Sequence, residues 1–499
     1  MKAIGFFKRI AGMDKAEATG TKRRILFVIE IYFNVMKRHL ILFLLSVVCG
    51  CTLTAQVQKL LDFDGSAKGA HPEGALVSDG TFLYGTTYQG GSNNKGAVYK
   101  IKTDGTGYTK LLDFNGVANG SYPTSALLHD GTYLYGMTQQ GGSMGQGTLF
   151  KLLPNGTGYT KLLDFSSAVY GSYPEGALIT DGTYLYGMTF RGGTEDSGTV
   201  FRIKPDGTGY NRLLDFAGVA NGSWPKGDLF YDGTYLYGMT QLGGVNDKGC
   251  VFRILPGGGN YSKLHDFSGA PDGLYGYDNI SSDGNFLYGL SPSGGTNNAG
   301  ILFKMNSNGT GYIKLHDFAG GQNGSFPAGS LVAAGGFLYG HTGQGGTYNH
   351  GMLFRINSNG SGFTKLIDLK DTITGANPYG TLISDGGYLY GTANNGGLNN
   401  MGAIFKFQIP GVSDYLPQQF LMAADIKLFP NPCGNSVYVN SNTVVPNQVV
   451  TVRNGLGQAV AKLMLKDHQL DMSTLSPGIY FITFISQPGR DVTLKLLKE

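Results

Sequence analysis

Charge is scarce in this 499-residue chain: Asp, Glu, Lys and Arg make up 14% of it. With hydrophobic residues at 41% and aromatics at 12%, that scarcity excludes a disordered polypeptide, which lacks the apolar surface needed to offset ordering. Cysteine is also rare. Of four, Cys49 and Cys51 lie near the start, leaving Cys250 and Cys433 isolated in different regions. No disulfide framework or paired-Cys metal site can be built from these; a single Cys250–Cys433 bridge is the only pairing left downstream. Proline numbers 18 and no G-X-Y period exists, which excludes collagen. The stretch at 40–48 is about half of the ~20 apolar residues that a membrane span requires.

Glycine is what abounds: 81 residues, well over twice the usual share of about 7%. With so many aromatics, this points to a turn-dense, all-β protein. The formal charge of +4 is concentrated at the start, because residues 1–55 carry nine Lys/Arg against three Asp/Glu. Beyond them the balance is 29 basic to 31 acidic, so a nucleic-acid footprint is absent. Met36-Lys37-Arg38-His39, the apolar run 40–48 and the small residues up to Ala55 have the layout of a secretory signal peptide at 36–55, cut before Gln56. Residues 1–35 then read as an upstream extension, with translation starting at Met36. The alternative is a lipoprotein cut before Cys51.

The rest of the chain is dominated by one unit. The motif (K/R)-L-x-D-(F/L) starts at Lys59, Lys110, Lys161, Arg212, Lys263, Lys314 and Lys365, at intervals of 51 residues without insertion or deletion. Such spacing marks a rigid geometric unit. Four segments per unit have β character, at 177–180, 183–189, 199–204 and 160–165 around the third copy. Asp181-Gly182 and Asn155-Gly156 supply the tight hairpin turns between them. Each unit therefore reads as a four-stranded antiparallel meander. Tyr184, Tyr186 and Met188 point one way and Leu185 with Gly187 the other, so both faces need cover, as radial stacking of sheets provides. A β-solenoid is the competitor. The chain enters on a fourth-strand sequence (Lys59 to Phe63) and leaves the array after a third (residues 402–407). The expected fold is thus a seven-bladed β-propeller over 56–415, closed by residues 57–63 pairing with 403–408.

The core Tyr184-Leu185-Tyr186-Gly187, with Gly192-Gly193, Gly198 and Arg202, resembles the GloVer tandem repeat and is met seven times between residues 59 and 415. The resemblance implies export and surface display, with no established activity to transfer. After a linker at 416–426, residues 427–499 read as a small β-sandwich. The signature Pro430-Asn431-Pro432, Gly457-Gln458, Gly478-Ile479-Tyr480 and a final strand with Lys495 and Lys498 resembles the type A sorting domain of the type IX secretion system. That resemblance implies a Gram-negative host, the type IX machinery as partner, and passage across the outer membrane to the cell surface or medium.

The DG and NG turns are tight, whereas the other connections are long and rich in Asn, Ser, Thr, Gln and Tyr. Function is expected on those long loops. One loop position is aromatic or nearly so: His71, Tyr122, Tyr173, Trp224, Tyr275 and Phe326, with Asn377 the exception. Rings beside Asn and Ser suit a sugar-binding surface, which makes Tyr122, Tyr173, Trp224, Tyr275, Tyr277 and Phe326 candidate ligand contacts. The competing role for these rings is to plug the gap between units. The seven motif aspartates, Asp62 to Asp368, are expected to bond neighbouring backbone amides, and the seven tyrosines of YG to be core. A single site should break the repeat instead. The fifth copy departs most, at Leu274 to Asn279, and the fourth places Asp228 where three copies have alanine. Asp228 and Asp278 could act as paired acids in glycoside hydrolysis. His265, His316, His341 and His350 are further departures. No nucleophile motif, phosphate loop or metal-ligand spacing is present, so neither a cofactor nor a metal is expected. The leading reading is a secreted, surface-attached binding module for a glycan or a surface protein; a polysaccharide-degrading enzyme and a purely structural surface protein are the alternatives. The leader is checked by sequencing the mature N-terminus: Gln56 is expected, and a lipidated Cys51 would reject it.

Overall fold

In the computed structural model the described residues are 57–276, 278–334, 336–385, 387–410, 427–429, 435–440, 448–454, 459–466, 469–476, 478–486 and 490–498. The expected leader, Tyr277, Pro430–Pro432, Cys433 and Gly457 lie outside them. The chain is all-β. Its repeats form seven four-stranded antiparallel sheets, numbered here 1 to 7 in repeat order. Sheet 3 comprises Ile179–Thr180, Leu185–Thr189, Thr199–Ile203 and Asn211–Asp215, joined in chain order as a meander.

The first strand is shorter than its sequence suggests, two residues in sheet 3 where four were expected. Its lead-in instead makes isolated bridges such as Ser172↔Arg191, and Ala177 sends its N–H to the next repeat. Only sheet 6 has a long first strand, Ser325–Ala334. The hairpin aspartates organise the following turn. Asp181 Oδ1 accepts the N–H groups of Thr183 and Tyr184, and the Tyr186 hydroxyl donates to Asp181 Oδ2 at 2.7 Å. This satisfies the one polar atom of a ring that is otherwise buried.

Each fourth strand carries a β-bulge. Val200 pairs with Leu214 but Phe201 with Arg212, leaving Leu213 extra. The bulge turns residues three apart onto one side, which brings Arg212 Nε to within 2.8 Å of Asp215 Oδ1. The same ion pair recurs in every repeat, from Lys59–Asp62 to Lys365–Asp368. The aspartates also hold loop amides: Ser92 N–H donates to Asp113 and Leu398 N–H to Asp62.

Both faces of the sheets are covered by neighbours. Tyr186, Met188 and Val200 of sheet 3 pack with Leu229, Leu236 and Phe252 of sheet 4. Sheet 7 consists of Ile383–Asp385, Tyr388–Ala393, Ala403–Gln408 and, from the other end of the array, Val57–Asp62. Val57 pairs with Phe407 and Asp62 with Ala403. Leu60, Phe63, Tyr390 and Ile404 then pack with Leu76, Leu83 and Tyr99 of sheet 1, and Ser78 Oγ donates to Asp385 Oδ2 at 2.8 Å.

Cys250 is a free, buried thiol, within 3.4 Å of Thr240 Oγ1. The Cys250–Cys433 bridge is therefore not made. Residues 427–498 contribute a three-stranded and a four-stranded sheet. Val437, Val439 and Leu470 from the first pack with Val450, Val452, Ile482 and Phe484 from the second, which makes a sandwich. Tyr480 is buried, and its hydroxyl donates to the Ser476 carbonyl at 2.7 Å. Among the described residues no helix is long and apolar enough to cross a membrane.

Phe63 is fully buried. Phe63→Ala should therefore cost about 3–5 kcal/mol, and deleting residues 56–64 should cost more, both read by calorimetry of the whole chain. An unchanged melting temperature after the deletion would show that the first strand does not hold the array together.

Candidate functional site

The first-strand lead-ins of neighbouring repeats approach so closely that side chains are excluded between them. A Cβ on Gly227 would collide with the Asp278 carbonyl, and one on Gly176 with the Gly227 carbonyl. Backbone N–H groups at this seam have no ladder partner, so side chains from an adjacent repeat accept them, the following repeat in three cases and the preceding one for Gly329. Ala177 N–H donates to Asp228 Oδ1 at 2.5 Å, Asp228 N–H to Asn279 Oδ1 at 2.6 Å, Gly329 N–H to Asp278 Oδ1 at 3.1 Å and Ser330 N–H to Thr381 Oγ1 at 3.0 Å. All four bonds join residues 51 apart. The Asn279 amide further donates to Asp228 Oδ2 at 2.8 Å and to Thr381 Oγ1 at 3.2 Å, the latter 102 residues on.

These lead-ins line one cavity of about 610 Å³ to which all seven repeats contribute. Asp228, Asp278 and Phe326 are brought together there. Tyr122, Tyr173, Trp224 and Tyr275 do not line it. They have left-handed backbone, as do His71, Phe326 and Asn377, with φ between 53° and 63°. This conformation is costly for a side-chain-bearing residue. It is held from both sides: Trp224 N–H donates to the Ser197 carbonyl at 2.7 Å, and its own carbonyl accepts from Gln241 N–H at 3.2 Å. The rings pair with the neighbouring repeat, Tyr122 with Tyr88 at 5.1 Å and Trp224 with Phe190 at 5.8 Å between centroids. The following prolines sit against glycines of the preceding repeat, so a Cβ on Gly198 would lie 2.7 Å from Pro225 Cδ.

None of the departing histidines is itself part of the cavity lining. His265 contacts Asp272 at 3.0 Å and stacks on Tyr312 at 3.8 Å; His316 stacks on Phe363 at 3.8 Å. The buried His341 ring meets the Gly380 carbonyl through Nε2 at 2.9 Å, and burial pulls its pKa down to about 4. The His350 carbonyl accepts from Asn377 N–H. Among the described residues no group of His, Cys, Asp and Glu is arranged to hold a metal.

Sequence reasoning missed Glu73, Glu175, Lys226, Tyr88, Tyr379 and Asn394, which also line the cavity. The signal for Glu73, Glu175, Lys226 and Tyr379 was the column one residue past the repeated proline, which reads Glu73, Thr124, Glu175, Lys226, Tyr277, Ala328 and Tyr379; Tyr88 and Asn394 lie beyond the second strands of their repeats. Within an otherwise regular repeat, this column has no preferred chemistry. Lys226 pairs with Glu175 at 3.1 Å, and the Gln139 amide donates to the same carboxylate at 3.0 Å. Burial raises the Asp278 carboxyl well above its ordinary range, and repulsion from Asp228 adds to this; burial likewise raises Asp228. Glu73 is pushed up to about 7, first by burial and then by Glu175, against the pull of Lys226 and a hydrogen bond with Asn394. A raised carboxyl pKa favours the folded state when protonated. That stability is complete below about 4.5 and is lost as pH rises through about 7. Glu73→Gln should therefore gain on the native chain by on the order of 1–3 kcal/mol between pH 5 and pH 8, measured by urea unfolding. An equal difference at both pH values would place this carboxyl in solvent.

No curated protein matches this chain. Among solved structures it is similar to PorZ, an essential bacterial surface component of the type-IX secretion system of Porphyromonas gingivalis, at 13% identity and a TM-score of 0.44, covering 88% of this chain and 60% of that one. It therefore spans under two thirds of PorZ. It is also similar to the extracellular domain of the putative hybrid two component system BT4673 from B. thetaiotaomicron (12% identity, TM-score 0.48, 89% and 59% covered). Oligogalacturonate lyase from Vibrio parahaemolyticus is a further likeness (11%, 0.46, 72% and 95%). The secretion system C-terminal sorting domain matches residues 427–499. Such a domain is handled by the type IX machinery and directs export across the outer membrane to the cell surface or beyond. The Gloeobacter/Verrucomicrobia repeat matches residues 48–184, 180–286 and 271–421, and the chain belongs to that repeat family.

Proposed function

We propose that this exported protein is a glycan-binding module whose seven sheets are the blades of a closed propeller over residues 56–415. Residues 36–55 are the leader removed on the way out, 416–426 the linker, and 427–499 the sorting domain. Ring closure is supported by the pairing of Val57–Asp62 with Ala403–Gln408 and by the contacts of sheet 7 with sheet 1, including the donation of Thr392 Oγ1 to the Gly74 carbonyl at 3.2 Å.

The observation that carries the binding role is convergence. Residues that break the repeat, drawn from units far apart in the chain, meet in one cavity of about 610 Å³, a size suited to a small ligand or the end of a chain. Its lining sets the rings of Tyr88, Phe326 and Tyr379 beside amides and hydroxyls from Gln139, Gln241, Asn279, Thr381 and Asn394. Rings cover the apolar faces of a sugar and amides bond its hydroxyls. Tyr379 is 50% and Phe326 39% exposed, so both have ring surface to offer. The hydrolase reading is less well served. Each oxygen of Asp228 already accepts a hydrogen bond, so Asp228 is bound into the seam and is a poor partner acid for Asp278.

A glycan array probed with the exported protein is expected to show binding. Phe326→Ala and Tyr379→Ala should each weaken it by about tenfold, the worth of roughly 1.4 kcal/mol of stacking. Absence of binding to any glycan would overturn this reading in favour of a protein ligand or a scaffold. Release of reducing ends would restore the enzyme.

A further inference from the structure

Resting on the reading that the cavity takes a glycan, we propose that this glycan carries a free, protonated amino group, as a glucosamine-containing saccharide does, received between Asp278 and Glu73. Four carboxyl groups, Glu73, Glu175, Asp228 and Asp278, line the cavity against one ammonium, Lys226. They are not equivalent. Glu175 is matched by Lys226. Asp228 spends one oxygen on Ala177 N–H and the other on the Asn279 amide.

Asp278 spends Oδ1 on Gly329 N–H, and its Oδ2 has no hydrogen-bond partner although the residue is only 7% exposed. A buried acceptor without a donor is costly and rare in a folded chain. One that belongs to a cavity-lining residue is explained by a donor that arrives with the ligand. Glu73 is the other carboxyl with no cation of its own. Burial and the neighbouring Glu175 both oppose its ionisation, as burial and Asp228 oppose that of Asp278.

A neutral hydroxyl would satisfy the Asp278 acceptor but would leave the acidic excess uncompensated. An ammonium both donates to Oδ2 and offsets the repulsion that Asp278 meets from Asp228 and that Glu73 meets from Glu175, in surroundings where charges are weakly screened. Tyr88 and Tyr379, the tyrosines of the lining, can add ring faces to the same cation.

The test compares the glucosamine trisaccharide with its fully N-acetylated counterpart, by calorimetry on the exported protein at low salt and neutral pH. A preference of at least tenfold for the free amine is expected. It should fall to within about twofold in Asp278→Asn, which keeps the acceptor for Gly329 N–H, and separately in Glu73→Gln, so the test survives if one variant fails to fold. Salt should weaken the amine form alone. Equal affinity for the two sugars, or a preference untouched in both variants, overturns the amino-group assignment and leaves the glycan reading standing. Binding of neither trisaccharide also overturns it, and the array then decides whether the glycan reading falls too. Spermidine binding more tightly than the amino sugar would overturn the assignment to a saccharide.

Discussion

Neighbouring repeats are joined where no side chain fits between their backbones. Gly176 and Gly227 bring the lead-in of one repeat against the carbonyl of the next, and the N–H groups exposed by this approach look for acceptors that their own sheet does not supply. A buried donor left without one costs more than a made bond returns. Asp228, Asn279 and Thr381 meet that requirement from one repeat onward. The strict interval of 51 residues accords with this, because these bonds join equivalent or near-equivalent positions of adjacent repeats, each pair 51 residues apart. The gap in first-strand pairing follows too, since residues that bond sideways cannot also pair in the ladder: even in the long first strand of sheet 6 the pairing skips from Ala328 to Val332, over Gly329 and Ser330.

The same seam explains the conformation of the repeated aromatic position. Its left-handed backbone lets one residue donate to the preceding repeat and accept from the loop that follows its own second strand. A ring at such a position is fixed by backbone demands before any ligand is considered. The side chains two residues later, Glu73, Glu175, Lys226 and Tyr379 among them, have no equivalent constraint. They vary from Glu73 to Tyr379 along the array and so can be spent on recognition.

Much of the fold was legible for this reason. Four-stranded units, their DG and NG turns and the partnership of the first strand with the last unit could be read from spacing and alternation, because those features repeat. What could not be read was the length of the first strand, since hydrogen bonds across repeats leave no mark in local propensity. The site was half legible. Asp228 and Asp278 stood out against their repeat equivalents, whereas Glu73, Lys226 and Tyr379 sit in a column with no consensus to depart from. The aromatics Tyr122, Tyr173, Trp224 and Tyr275 attracted attention through repetition, which in this fold signals a seam.

An array of near-identical units has no privileged point by symmetry, so any site must be made by breaking that symmetry where the units meet. The substitutions in the fourth, fifth and seventh repeats do both jobs. Asn279 satisfies Asp228 and reaches Thr381, which ties the stability of the seam to the chemistry of the cavity. Asp278 is the exception, with one oxygen bound into the seam and the other unclaimed. A carboxyl held in this way is oriented without being used up. Selection for stability alone would have left glycine there, as in the first, third, fourth, sixth and seventh repeats (Gly74, Gly176, Gly227, Gly329 and Gly380). The carboxyl at this point of the seam is therefore best understood through what enters the cavity.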